Sequence, residues 1–213
     1  MKPIHAVLGF SLALFACATP AQAEVKQAAA DSFLIVFSEP LAATPAKAYA
    51  AVTAIPVWWD SEHTWSGKAS NLSLKTEAGG CFCERWADGS VEHGRVVMAI
   101  PGKLLRLDTA LGPLQEFALH GILSFWIRTD EDDGSTRLDV EYRVNGSSAS
   151  GLDAFAPKVD EVLGAQVARL KRLLDTGRPD EAPPVEAAAA AAAKPAKPKP
   201  PAKLPPGKPA TGR

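Results

Sequence analysis

From residue 71 to residue 144, apolar and polar side chains alternate in short runs broken by glycine, proline and aspartate, the period-two signature of half-buried strands. The runs predict strands near Leu72 to Thr76, Cys81 to Trp86, Val91 to Ala99, Leu104 to Thr109, Ala118 to Arg128 and Thr136 to Val144. Their joints are Ala78-Gly79-Gly80, Asp88-Gly89, Pro101-Gly102, Gly112-Pro113 and the acidic run Asp130 to Gly134. Asp-Gly between two alternating runs is a strong hairpin signal, so the pattern predicts an antiparallel meander. Upstream, Ser32 to Ser38 (SFLIVFS) is rich in aromatic and β-branched residues and predicts a further strand, closed by Pro40. Thr44-Pro45 pairs a capping oxygen with a proline at the first helical position and predicts a helix to about Thr53. After Pro56, Val57 to Asp60 predicts a second short helical turn.

The period changes at Leu152. Phe155, Val159, Val162, Leu163, Gln166, Val167, Leu170, Leu173 and Leu174 recur at spacings of three and four, one broad apolar face of a helix over Leu152 to Asp175. Gly177 and Pro179 end it. The order is one strand, two short helices, a run of strands and one long helix. It predicts an α+β fold in which the long helix lies across the concave face of a curved antiparallel sheet of six or seven strands.

Neither end of the chain shares this patterning. Residues 1–23 combine Lys2, an apolar stretch from Val7 to Ala18 and the small triplet Ala21-Gln22-Ala23, the pattern of a cleavable secretory signal with the mature chain starting at Glu24. Leu14 to Cys17 is similar to a lipobox, which offers lipid anchoring through Cys17 as an alternative. Residues 178–213 are a proline, alanine and lysine mixture without aromatics, predicted to be disordered. The domain of residues 24–177 lies between. The chain as a whole nets −1, yet this domain carries 15 basic and 21 acidic residues, a net of −6, while residues 187–213 carry six basic residues and no acid. An acidic domain repels phosphate backbones, which argues against a nucleic-acid partner. The basic tail suits either a solvated spacer or contact with an anionic envelope surface.

Several local motifs add up in order: TPAKAYAAV in the first helix, Gly79-Gly80-x-Phe82, Asp88-Gly89, Gly94-x-Val96 and Ile100 to Leu104. With the order of elements, they resemble the SRPBCC superfamily, also called START-like or Bet v 1-like, in the branch related to the activator of the Hsp90 ATPase. The resemblance spans about Asp31 to Thr176. It implies a helix-grip fold with a cavity between sheet and long helix that takes an apolar or amphipathic small molecule. It does not fix chemistry, since members include carriers, receptors, cyclases and chaperone regulators.

The chemistry concentrates in GGCFCERWADGSVEHG, residues 79–94. A two-residue Asp88-Gly89 turn sets Trp86 opposite Val91, Arg85 opposite Glu92 and Glu84 opposite His93, and the Arg85 and Glu92 charges suit that register. Phe82, Glu84, Trp86, Val91, His93 and Val97 then share one face, and Cys81, Cys83, Arg85 and Glu92 the other. The resemblance turns Phe82 inward, which puts Glu84 and His93 in the cavity wall beside Trp86. Such a pair is open to three readings: a satisfied structural pair, a recognition site for a polar group of a ligand, or an acid and base.

Cys81 and Cys83 stand two strand steps apart, about 6.6 Å, beyond the favoured disulfide Cα separation of about 5.5 to 6 Å. A strained bridge, two ligands of a metal site and two small packed side chains all remain open. Trp58, Trp59 and Trp65 flank His63 in WWDSEHTW, either as core and lid packing or as an aromatic wall for a flat or lipid-like ligand.

Metalloprotease, nucleophile-elbow, phosphate-loop and EF-hand signatures are absent from the sequence, and no metal or cofactor is expected. The leading expectation is an exported, periplasmic or secreted protein that binds a hydrophobic or amphipathic molecule through Trp58, Trp59, Trp65, Phe82, Glu84, Trp86 and His93. The alternatives are a cyclase- or hydrolase-like enzyme using Glu84 and His93, and an envelope protein-interaction module.

Overall fold

A computed structural model describes residues 24–180. The leader-like residues 1–23 with Cys17, and the tail beyond Asp180, lie outside the described residues. Eight strands form one antiparallel sheet in the order β1-β2-β8-β7-β6-β5-β4-β3. They are β1 (Glu24–Ala29), β2 (Ser32–Leu41), β3 (Leu72–Leu74), β4 (Cys81–Trp86), β5 (Gly89–Ile100), β6 (Leu104–Thr109), β7 (His120–Thr129) and β8 (Thr136–Asn145). Helices α1 (Pro45–Thr53) and α2 (Ile55–Trp58) follow β2, and α3 (Leu152–Thr176) closes the domain. This is the helix-grip architecture that the SRPBCC resemblance implied. The sheet exceeds the expected count by one strand. The addition is β1, whose EVKQAA lacks the aromatic and β-branched run of the other strands and pairs with β2 through a bulge between Val25 and Gln27. Among the described residues no helix is long and apolar enough to cross a membrane.

Local chemistry accounts for the helical elements. Thr44 Oγ1 accepts from the Lys47 amide, with Pro45 at the first helical position, as the sequence predicts. The second helical turn lies slightly earlier than predicted, with Pro56 inside it and Trp59 at its C-cap. Pro40 does not end β2. It pairs with Arg137 beyond the reach of β1, where β2 is an edge and a missing N–H costs no ladder bond. Gly177, at φ +80°, caps α3 with its N–H on the Leu173 carbonyl. Pro157 stands inside α3 and has no N–H for the Asp153 carbonyl.

The inward faces of β2, β6, β7 and β8 share one core with α1 and α3, with α3 lying on β1 and β2 and α1 on β6 and β7. Ile35, Leu105, Leu107, Val140 and Tyr142 are fully buried there, as are Ala156 and Leu170 from the helix. Each large apolar side chain so enclosed contributes on the order of 1.5–3 kcal/mol. The Tyr142 hydroxyl donates to the Thr109 carbonyl and accepts from the Leu111 amide, fixing the exit of the chain from β6. Gly121 allows this close approach, since a Cβ there would lie 2.3 Å from the Thr109 carbonyl oxygen. Gly121→Ala should therefore cost at least about 2 kcal/mol, in the range of overpacked cores, measured as a shift in the urea unfolding midpoint at unchanged slope.

Candidate functional site

The β4–β5 hairpin turns one residue earlier than the sequence suggests. Trp86 pairs with Gly89, Arg85 with Ser90 and Glu84 with Val91, so the two-residue loop is Ala87-Asp88 and not Asp88-Gly89. Gly89 serves the Trp86 ring: a Cβ at 89 would lie 2.5 Å from it, and Gly89 does not adopt the positive φ that a primed turn requires. The predicted Arg85 and Glu92 pair is not formed. Glu92 instead holds Arg95 at 2.8 Å, and Cys83 stands opposite Glu92. From Trp86 back to Cys83 the partners on β5 have moved by two, which leaves these side chains on their predicted face, because only an odd slip exchanges faces.

A bulge then interrupts the ladder. Cys83 pairs with Glu92 and Phe82 with Gly94, so His93 is the extra residue. Its carbonyl accepts from Thr109 Oγ1, and Gly94 beside it leaves room for Asp108 and Thr109 on β6, where a Cβ would come within 2.5 Å. The bulge also shifts the alternation of β5 by one. Val96 is therefore buried, while Val97, predicted to face inward, is itself the extra residue of a second bulge and is exposed.

The outcome at the centre is a buried ion and imidazole pair. Glu84 is fully buried, and its carboxylate accepts from the Ser66 amide at 2.6 Å, the Trp65 amide at 3.1 Å and His93 Nε2 at 3.0 Å. Burial opposes its charge, yet the Ser66 and Trp65 donors and His93 outweigh burial and hold the carboxyl below its ordinary value. For His93 burial wins over the attraction of Glu84, and its pKa lies below the ordinary histidine value. The His93 ring also stacks at 4.9 Å on Phe82.

Beside this pair lies a cavity of about 440 Å³. Its walls are the Trp59 to Trp65 segment, the Leu111 to Leu114 segment and the N-terminal half of α3 through Phe155, Val159 and Val162, with His93 reaching it from the sheet. Asp60 caps the 3-10 turn Ser61–His63, and the Trp59 indole N–H donates to the His63 carbonyl. Gln166 on α3 is fully buried and holds the turn from behind: its Oε1 accepts from the Asp60 amide at 2.8 Å and its amide nitrogen lies 3.0 Å from His63 Nδ1. His63, Trp65 and Lys158 are exposed where the cavity opens.

Of the residues predicted for a ligand site, Trp59, Trp65 and His93 line this cavity. The other four do not. Trp58 is core, its indole N–H bonded to the Ala51 carbonyl and its ring against Phe125. Phe82 lies beneath the cavity under Trp59 and His93. Glu84 sits behind His93 with its acceptors taken, and Trp86 covers Gly89 at the hairpin end. Sequence reasoning passed over Leu111 to Leu114, and it placed Gln166 on the inward helix face without a role in the site. A glutamine in the middle of an otherwise apolar helix face was the one available signal for the latter.

Cys81 and Cys83 form a disulfide with their Cα atoms 5.4 Å apart, shorter than two regular strand steps. The contraction falls on β4 where β5 carries its extra residue. Glu92 lies close enough to both sulfurs to complete a trio of metal-ligand type. The bridge takes both thiolates, so the three do not form a metal site in this state.

No family model matches the sequence, and neither does any curated protein. Solved structures do align with it. A conserved protein of unknown function, EF2215 from Enterococcus faecalis, is 15% identical over 76% of this chain and 80% of its own, with a TM-score of 0.49. Protein MLL2253 from Mesorhizobium loti is 21% identical over 67% and 96%, with a TM-score of 0.48. The Aha1 dimer from Colwellia psychrerythraea is 21% identical over 68% and 97%, with a TM-score of 0.43. At these identities the likeness concerns the fold and says nothing of what this chain binds.

Two predictions follow from the Glu84 cluster and one from the bridge. Glu84→Ala strands the Trp65 and Ser66 amides and should cost about 2–6 kcal/mol, at about 1–3 kcal/mol per unpaired donor, read by chemical denaturation. A histidine with a depressed folded-state pKa makes the unfolded chain the better proton binder, so stability falls as pH drops through about 6.5. The Glu84 contribution, from a depressed carboxyl, is present above about pH 4.5 and is lost below it. Urea midpoints should decline from pH 7 to pH 5, and His93→Gln should flatten that decline. The Cys81→Ser, Cys83→Ser double variant closes no loop, and for so short a ring the loss should not exceed about 2 kcal/mol.

Proposed function

We propose that this is an exported binding protein for a small hydrophobic or amphipathic molecule, held in the cavity between the Trp59 to Trp65 segment and α3. The observation that carries the reading is the cavity itself. At about 440 Å³ it falls within the range of small-molecule sites, and its wall is mostly apolar with a few polar atoms. An interior packed solid would have favoured an interaction module instead.

Export is supported by two independent features. The leader-like sequence ends at Ala23, and Glu24 is the first residue of β1, so cleavage there leaves the edge strand whole. The Cys81–Cys83 bridge suits an oxidising compartment. In this reading the basic tail holds the acidic domain near an anionic envelope surface.

A second reading has one specific observation in its favour. His93 lines the cavity and is backed by a buried carboxylate at 3.0 Å, the arrangement that orients a general base. In a cyclase- or hydrolase-like reaction His93 would take the proton, and Glu84 would position His93 and stabilise its charged form.

Native mass spectrometry of protein recovered from its own periplasm, before and after organic extraction, tests the binding reading. A bound mass lost on extraction is expected, and Val162→Trp, which fills the cavity, should abolish it while the fold is retained. Consistently empty protein counts against a carrier. N-terminal sequencing of the same sample should begin at Glu24; an N-terminus blocked by lipid at Cys17 would change the anchoring.

A further inference from the structure

A mostly apolar cavity discriminates among ligands through the few polar atoms that it leaves open. Two imidazoles supply such atoms here, His93 against the sheet and His63 where the cavity opens. The position of the proton on each ring is dictated by a neighbour whose own hydrogen bonding is already decided.

Glu84, as a carboxylate, can only accept. The 3.0 Å contact therefore puts the ring proton of His93 on Nε2 and leaves Nδ1 as a bare acceptor. Among the described residues no hydrogen bond ends on that Nδ1. Nor is it sealed in: the one fully enclosed side-chain polar atom without a partner among those residues is Asp160 Oδ1. Nδ1 is thus the unpartnered nitrogen of a ring that lines the cavity.

At His63 the same proton position has the opposite effect. Gln166 commits its amide oxygen to the Asp60 N–H, so the group facing His63 Nδ1 at 3.0 Å is the Gln166 NH₂ donor. Nδ1 must accept, and the proton sits on Nε2, on the side away from Gln166. Both rings are Nε2–H tautomers, yet the deep one offers a lone pair and the outer one offers a proton. The buried carboxylate behind His93 also makes the deep end hostile to an anion, while the nearest cation on the wall, Lys158, is exposed at the opening.

We propose that the cavity takes an apolar molecule with an uncharged hydroxyl at its buried end, donating to His93 Nδ1, and an oxygen acceptor at its outer end, facing His63 Nε2. This rests on the reading that the cavity holds a ligand. It adds the polarity of that ligand and its direction in the site: alcohol or phenol inward, carbonyl or ether outward.

The test uses the fluorescent probe 6-acetyl-2-naphthol and its 2-methyl ether, titrated into the full chain. The naphthol should bind about tenfold more tightly than the ether, which leaves His93 Nδ1 unpaired. In His93→Phe the two probes should bind alike. Equal binding to the natural protein, or tighter binding of the ether, overturns this proposal and leaves the binding reading standing. Failure of both probes to bind overturns the binding reading and this one with it. Nitrogen-15 spectra of the histidine rings supply a measurement that needs no variant: His93 and His63 should each be protonated at Nε2 and bare at Nδ1. A proton on Nδ1 of either ring overturns the assignment.

Discussion

One buried carboxylate ties the site together. Glu84 gathers two backbone amides from the loop after the 3-10 turn and one imidazole from the neighbouring strand. Removing a carboxylate from water costs several kcal/mol, and only a full set of short, charge-assisted hydrogen bonds offsets that cost. The set is complete here, so the tryptophan-bearing segment is fastened to the sheet at the point where His93 turns inward. Glu84 is thereby a brace for other groups, fully buried behind His93 and outside the cavity wall. The same brace explains why burial depresses the imidazole without leaving it unanchored.

The long helix divides the interior into a filled part and a hollow part. Toward its C-terminal end, Val167 and Leu170 are buried among core side chains. Under the face that carries Phe155, Val159 and Val162 the partners withdraw: the chain leaves β6 at Thr109, makes the 3-10 turn Gly112–Glu116 and returns only at His120. The gap in the layer below the helix becomes the cavity. Leu111 is held at its rim through the Tyr142 hydroxyl, a polar atom deep in the core whose pKa is raised by burial and which stays a neutral donor. The hollow thus depends on where a loop departs as much as on any lining residue.

The sequence disclosed the architecture because its signals are local. The period-two runs, the Thr44-Pro45 cap and the three- and four-residue spacing of α3 each act over a few residues, and each element was found within a few residues of its predicted place. The Glu84 and His93 pairing was legible for a subtler reason. The predicted hairpin register was out by two, an even slip, so both side chains kept their face. The bulge at His93 was not legible, because it arises from Gly94 meeting Asp108 and Thr109 on β6, a contact between strands remote in sequence. Trp58 and Trp86 were misread for a similar reason. Aromatic character does not say whether a ring meets a void, another ring or a glycine.

The proline inside α3 has a mechanical consequence. Without an N–H at position 157, the Asp153 carbonyl has no partner along the helix, and this missing rung falls between Phe155 and Lys158, both in the roof of the hollow. The roof is therefore one backbone bond weaker where Phe155 and Lys158 meet the hollow, and it is the burial of Leu152 and Ala156 on the same turns that keeps the start of the helix in place.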